Sequence, residues 1–82
     1  MRTINFLSSQ IAILTADIAA RETMRDESYD LAIEAEAKGD AEATARHDAW
    51  LEVHEDVLKS LRTNRYLAER SYNEVLAEQE VA

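Results

Sequence analysis

Gly39 is the single glycine in a chain of 82 residues that contains no proline. It stands almost at the midpoint, after a long run of helix-forming residues. A glycine there takes the left-handed conformation without a Cβ clash, so it is a natural stop for a helix. Lys38 places a positive charge where the preceding helix has its negative end. Asp40 is a good N-cap for a following helix, because its carboxylate accepts from free backbone N–H groups. One stop, one turn and one start thus divide the chain into two arms. The expected fold is all-α: an antiparallel, coiled-coil-like hairpin forming one domain over 1–82. Helix 1 is expected over about 3–38, the turn over 38–40 and helix 2 over about 40–80.

Hydrophobic residues make up 46% of the chain and charged residues 32%, which is not the profile of a disordered segment. The absence of cysteine excludes a disulfide scaffold or a thiolate metal site. The longest aliphatic run, Ile11-Ala12-Ile13-Leu14, is too short to span a bilayer. Phe6–Ala20 has the outline of a signal peptide, with Arg2 ahead and Ala19-Ala20 behind. Ser8, Ser9, Gln10 and Asp17 interrupt it, and it reads as helix. A cytoplasmic protein, of the producing or a host cell, is expected.

The net charge of −8 is uneven. Between Glu22 and Asp56 stand twelve acidic and three basic residues, a net −9, which leaves +1 for the remainder. In a hairpin the turn half is therefore strongly acidic and the open half nearly neutral. That distribution argues against direct nucleic-acid binding and suits a basic partner or simple solubility. The acidic face is assigned to Glu22, Asp26, Asp30, Glu34, Glu52, Glu55 and Asp56.

At 100° per residue, helix 1 carries two apolar stripes roughly 120° apart. One holds Ile4, Leu7, Ile11, Leu14 and Ile18 and resumes with Tyr29, Ala32 and Ile33. The other holds Phe6, Ile13, Ala20, Met24, Leu31 and Ala35. Arg21, Glu22 and Arg25 interrupt the first stripe, either as an ion-paired patch or as a polar layer that fixes register. Helix 2 gathers Trp50, Leu51, Val53, His54, Val57, Leu58, Leu61, Asn64, Ala68, Tyr72, Val75 and Leu76 on one wide face. Ala41, Ala43, Ala45 and Ala49 suggest a close approach near the turn. Folding about the midpoint sets Ile18 opposite Leu61, Ile11 opposite Ala68, Leu7 opposite Tyr72, Ile4 opposite Val75 and Tyr29 opposite Trp50. Arg21 and Arg25 then face Glu52, Glu55 and Asp56, while Val53, Val57 and Leu58 lack apolar surface opposite them.

Two stripes need two neighbours. Two long helices meet along one seam, and the unused stripe stays in water at about 25 cal/mol per Å². Small chains commonly supply the missing burial by oligomerising. A homodimer forming an elongated four-helix bundle is expected. Its core and dimer contacts are assigned to Ile11, Leu14, Ile18, Met24, Leu31, Trp50, Val53, Val57 and Leu61. Phe6, Ile13, Tyr66 and Leu67, at the open end, are candidates for binding one or more protein partners.

Catalytic patterns are missing from the sequence. Thr44 and Leu51 stand three before His47 and His54, so the Glu-x-x-His pairs of a di-iron bundle are absent. The two histidines lie about 10 Å apart along a helix, too far to share an ion. His54 is expected at the core edge, hydrogen-bonded to a neighbour, with a pH-sensing role as the alternative. Ser8 and Ser9 have no histidine in their arm to activate them, and no Gly-rich phosphate loop is present. No catalytic residue, metal site, cofactor or membrane contact is assigned, and the chain is expected not to be an enzyme.

Three function classes follow: a small regulator that binds a protein partner through helical surface (inhibitor, anti-activator or adaptor), an acidic nucleic-acid mimic, and a structural assembly element. In layout alone the chain is similar to the small plasmid and phage regulatory hairpins of the repressor-of-primer type, which dimerise into four-helix bundles. That likeness implies a phage- or plasmid-encoded regulator and transfers no individual residue roles.

Overall fold

A computed structural model describes residues 3–81. The described residues form two helices, α1 (Ile4–Ala37) and α2 (Ala41–Val81). They pack antiparallel into a rod whose Cα extents are 64 × 15 × 14 Å.

The turn forms as its residues dictate. Gly39 has φ 72°, and among the described residues no non-glycine has positive φ. Its N–H donates to the Glu36 carbonyl, and the Asp40 N–H donates to the Ala35 carbonyl, both at 3.0 Å. This pair of bonds is the Schellman arrangement, which satisfies carbonyls that the helix end leaves free. Asp40 Oδ1 then accepts from the Ala43 N–H at 3.0 Å, so one residue closes α1 and caps α2. At the far end of α1, Thr3 is the N-cap and its hydroxyl accepts from the Phe6 N–H at 3.2 Å. Lys38 Nζ donates to Glu34 Oε1 at 2.8 Å, and this hydrogen bond holds the Glu34 carboxyl below its ordinary range.

The seam repeats every seven residues. In α1 the buried and half-buried positions recur as Ile4, Leu7, Ile11, Leu14, Ile18, Arg21, Arg25, Ser28, Ala32 and Ala35. In α2 they recur as Thr44, His47, Leu51, His54, Leu58, Leu61, Arg65, Ala68, Tyr72 and Val75. Alternating steps of three and four residues are the mark of a coiled-coil seam. Grooves lined by Ser8, Ile11, Glu69 and Tyr72, and by Ile13, Leu14, Leu67 and Ala68, agree with the expected register about the turn. Leu7 and Leu58 are fully buried. The α2 residues beyond Val75 extend past the first turn of α1, and Val81 is almost wholly exposed.

This period corrects several expectations. A straight 100° wheel carries the first stripe on to Tyr29 and Ile33, but both are exposed. A seam of period 3.5 drifts from a 3.6 helix by about 20° per heptad. After three heptads, Ser28 and Ala35 have taken those places, and both are buried. Ala35 thereby leaves the second stripe for the first. Leu58, expected to lack a counterpart, is closed off within the hairpin. The broad face of α2 narrows to the seam, leaving Trp50, Val53, Asn64 and Leu76 exposed. Of the alanines expected to line a close approach, Ala43 is half-buried, while Ala41, Ala45 and Ala49 face solvent.

A Cβ at position 39 would meet no atom within 4 Å. Gly39→Ala therefore carries only the backbone cost of the left-handed conformation, about 1–2 kcal/mol. Urea unfolding at fixed protein concentration should show this loss, with Gly39→Asn losing less.

Candidate binding surface

The seam divides the hairpin into two flanks of different chemistry. One flank carries the cross-helix ion pairs. Arg25 Nη1 lies 3.5 Å from Glu55 Oε1, and Arg62 Nη2 lies 3.4 Å from Glu22 Oε2. Arg25 also donates to Asp26 at 3.1 Å, and this bond, reinforced by the charges of Asp26, Glu55 and Glu22, raises its pKa further. Such exposed pairs contribute little stability each. They nonetheless leave that flank charged.

The opposite flank is apolar. Gln10, Ile13 and Leu14 of α1 and Asn64, Leu67 and Ala68 of α2 line one shallow groove there. Heptad spacing puts Phe6, Ala20, Met24 and Leu31 on the same side of α1 as Ile13 and Gln10. It puts Trp50, Val53 and Val57 on the same side of α2 as Leu67 and Asn64. Phe6, Ile13, Met24, Leu31, Trp50, Val53 and Leu67 are each at least 44% exposed. These residues form a strip with Asp17, Glu27 and Arg46 spaced along it, and exposed apolar surface of that extent is uncommon on isolated soluble domains. Within the strip, Gln10 Oε1 is shut off from solvent and has no hydrogen-bond donor in the hairpin. A buried unpaired acceptor carries a desolvation cost of about 1–3 kcal/mol.

The sequence-assigned residues fall into place unevenly. Ile18 is buried, and Ile11, Leu14, Val57 and Leu61 are half-buried, in the seam or at its margin. Met24, Leu31, Trp50 and Val53 lie on the exposed strip instead. Of the open-end candidates, Phe6, Ile13 and Leu67 share the apolar flank. Tyr66 does not: it is 63% exposed and borders Glu69, Arg70 and Asn73 on the outer side of α2. Of the seven acids on the acidic face, Glu22, Asp26, Glu34 and Glu55 are already engaged with arginine or lysine of the same chain.

The interrupted part of the stripe is a polar layer. Arg21 was expected to face acids, but its Nη1 lies 3.1 Å from His54 Nδ1. His54 is only 3% exposed, as befits its expected place against a hydrogen-bonding neighbour. A guanidinium can only donate, so Nδ1 accepts and the ring proton sits on Nε2. Trp50 stacks on the same imidazole, with centroids 5.8 Å apart and planes at 24°. Trp50 was expected opposite Tyr29; its ring instead covers the histidine of its own helix. No sequence pattern pointed to the Arg21–His54 bond, although both residues occupy seam positions of the seven-residue repeat.

The grooves are open troughs along the rod, and none encloses a ligand-sized cavity among the described residues. Among those residues, no three His, Cys, Asp or Glu side chains are grouped to hold a metal ion. Among the described residues no helix is long and apolar enough to cross a membrane. The sequence matches no protein family, and neither curated proteins nor solved structures gave a significant match.

Arg21→Leu should destabilise the hairpin by about 1–3 kcal/mol, because it leaves buried Nδ1 without its donor. Replacing both Arg21 and His54 by leucine should recover most of that loss, since an apolar pair continues the seam. A double-mutant cycle in urea, at constant protein concentration, measures the coupling.

Proposed function

We propose that this chain is a non-enzymatic regulatory protein that works by binding helical surfaces, with a second copy of itself as its first partner. The observation that carries this reading is the unequal chemistry of the flanks: the cross-helix ion pairs lie on one side, and most of the large exposed apolar side chains on the other. A monomeric rod would leave the strip in water, where burial at about 25 cal/mol per Å² is the largest stabilisation still open to it. Face-to-face packing of two hairpins makes an elongated four-helix bundle.

The strip is large enough. From Phe6 to Leu31 it runs about 37 Å at 1.5 Å per residue. Across a rod about 15 Å wide, the flat projection is on the order of 550 Å², and side-chain relief raises the accessible area toward the ~800 Å² per partner of a standard interface.

Regulation then follows from helix docking, as an inhibitor, anti-activator or adaptor. The open end, with Phe6 at the tip of the strip and Tyr66 on the outer face, is the surface offered to another protein. Apolar docking of that kind withstands moderate salt, whereas mimicry of a nucleic acid by the acidic half weakens steeply with it. The mimic reading draws less support, because ion pairs within the chain already occupy much of the acidic face. A purely structural assembly role is the third reading, and capture of no partner at either salt concentration would favour it.

Light scattering coupled to size exclusion should give twice the 9.3 kDa chain mass at micromolar concentration. A species of single mass would overturn the self-association. Tyr66→Ala, off the strip, should leave that mass unchanged and reduce capture of a heterologous partner.

A further inference from the structure

We propose that the Arg21–His54 layer is an acid-sensitive lock: it holds the two helices together while His54 is neutral and releases them when the imidazole takes a proton. The layer is complete within one hairpin, so the lock works with or without a second copy. Three observations carry it.

The first is the direction of the hydrogen bond. Arg21 Nη1 lies 3.1 Å from His54 Nδ1. The guanidinium has donors only, so Nδ1 must keep its lone pair. A proton at Nδ1 turns that acceptor into a second donor. Turning the ring over gives no relief, since both nitrogens of an imidazolium carry hydrogen. The bond between the helices is therefore open to the neutral ring alone.

The second is burial. His54 is only 3% exposed, and Leu58, the next seam residue of α2, is fully closed off. An imidazolium formed here would exchange water for apolar side chains, which disfavours the charged form. Trp50, stacked on the ring with centroids 5.8 Å apart, offers its face to a cation. That attraction acts on one side, while the guanidinium stands at hydrogen-bond distance from the ring, where like-charge repulsion is stronger.

The third is the company the layer keeps. The charged groups of α1 around it are Asp17, Glu22, Arg25 and Asp26. Those of α2 are Glu55 and Arg62, with His47 one heptad nearer the turn, while Glu52 and Asp56 are exposed on outward positions. Glu22 is held by Arg62, and Glu55 and Asp26 by Arg25. Among the described residues neither Arg21 nor His54 makes an ion pair with any carboxylate. A proton on His54 would thus set a second positive charge against one that nothing nearby neutralises.

In the unfolded chain the same histidine meets water and takes a proton freely. Stability falls with pH wherever the unfolded state binds more protons, and for histidine that window lies between about pH 5 and 8. Urea unfolding at pH 8 and pH 5.5, at one protein concentration, tests the lock. The unfolding constant should rise about tenfold at the lower pH, the ratio for one histidine that binds its proton only when unfolded. His54→Asn keeps a side-chain acceptor but cannot titrate there, and its two constants should differ by less than about twofold. The Arg21→Leu, His54→Leu double variant should be equally flat, so an asparagine variant too unstable to fold leaves the test intact. His47→Asn should keep the full rise. A flat response in the unaltered chain, the same rise in the double variant, or its loss in His47→Asn would each overturn the lock. Nitrogen NMR of the imidazoles at pH 8 should find the His54 proton on Nε2; a proton on Nδ1 would remove the premise.

Discussion

The whole structure depends on keeping two long helices in one register over some ten heptad contacts each, with a single left-handed residue as the only covalent constraint. Gly39 makes the reversal, but a turn governs only the residues next to it. What holds the far ends together is the alternation of three and four residues between seam positions, unbroken from Ile4 to Ala35 and from Thr44 to Val75. Because the seam never changes period, each side chain meets a defined level of the opposite helix. A single insertion in either arm would move every later position off the seam.

The seam is not uniform, and the difference has consequences. Its open half is rich in Ile and Leu, with Leu7, Ile18 and Leu58 buried. Its turn half is built mostly from small or polar groups, Leu51 apart: Arg25, Ser28, Ala32 and Ala35 against Thr44, His47, Leu51 and His54. The strong burial therefore lies far from the turn, where closing the chain costs most entropy. The turn half relies on local terms, including the Schellman bonds, the Asp40 cap and helix propensity. Between the halves sits the Arg21–His54 pair. It gives up some apolar contact, but it penalises any slipped register that would leave the buried imidazole without its donor.

Much of this was legible in the residues. Gly39, Lys38 and Asp40 announced the turn, and the helix bounds fell within about one residue because Thr3 and Asp40 are both strong caps. The register followed from the turn position alone. What the wheel at 100° missed was the supercoil: over α1 the drift between 3.6 and 3.5 grows to most of a helical face, enough to exchange Tyr29 and Ile33 for Ser28 and Ala35. Propensity gave no help, since alanine and serine are unremarkable on either side of a helix. The two-sided character of the hairpin was hidden for a related reason. Met24, Leu31, Trp50 and Val53 were recognisable as apolar, but which flank they share depends on the drifted register, and that appears only once both helices are placed together.

The apolar flank is not uniformly apolar. A strip made only of Ile, Leu and Met would bury area in almost any orientation, because the hydrophobic effect has no direction. Here Gln10, Asp17, Glu27, Asn64 and Arg46 are spaced among the apolar residues. Each has a small set of acceptable opposites, and each wrong opposite leaves a desolvated polar group unpaired.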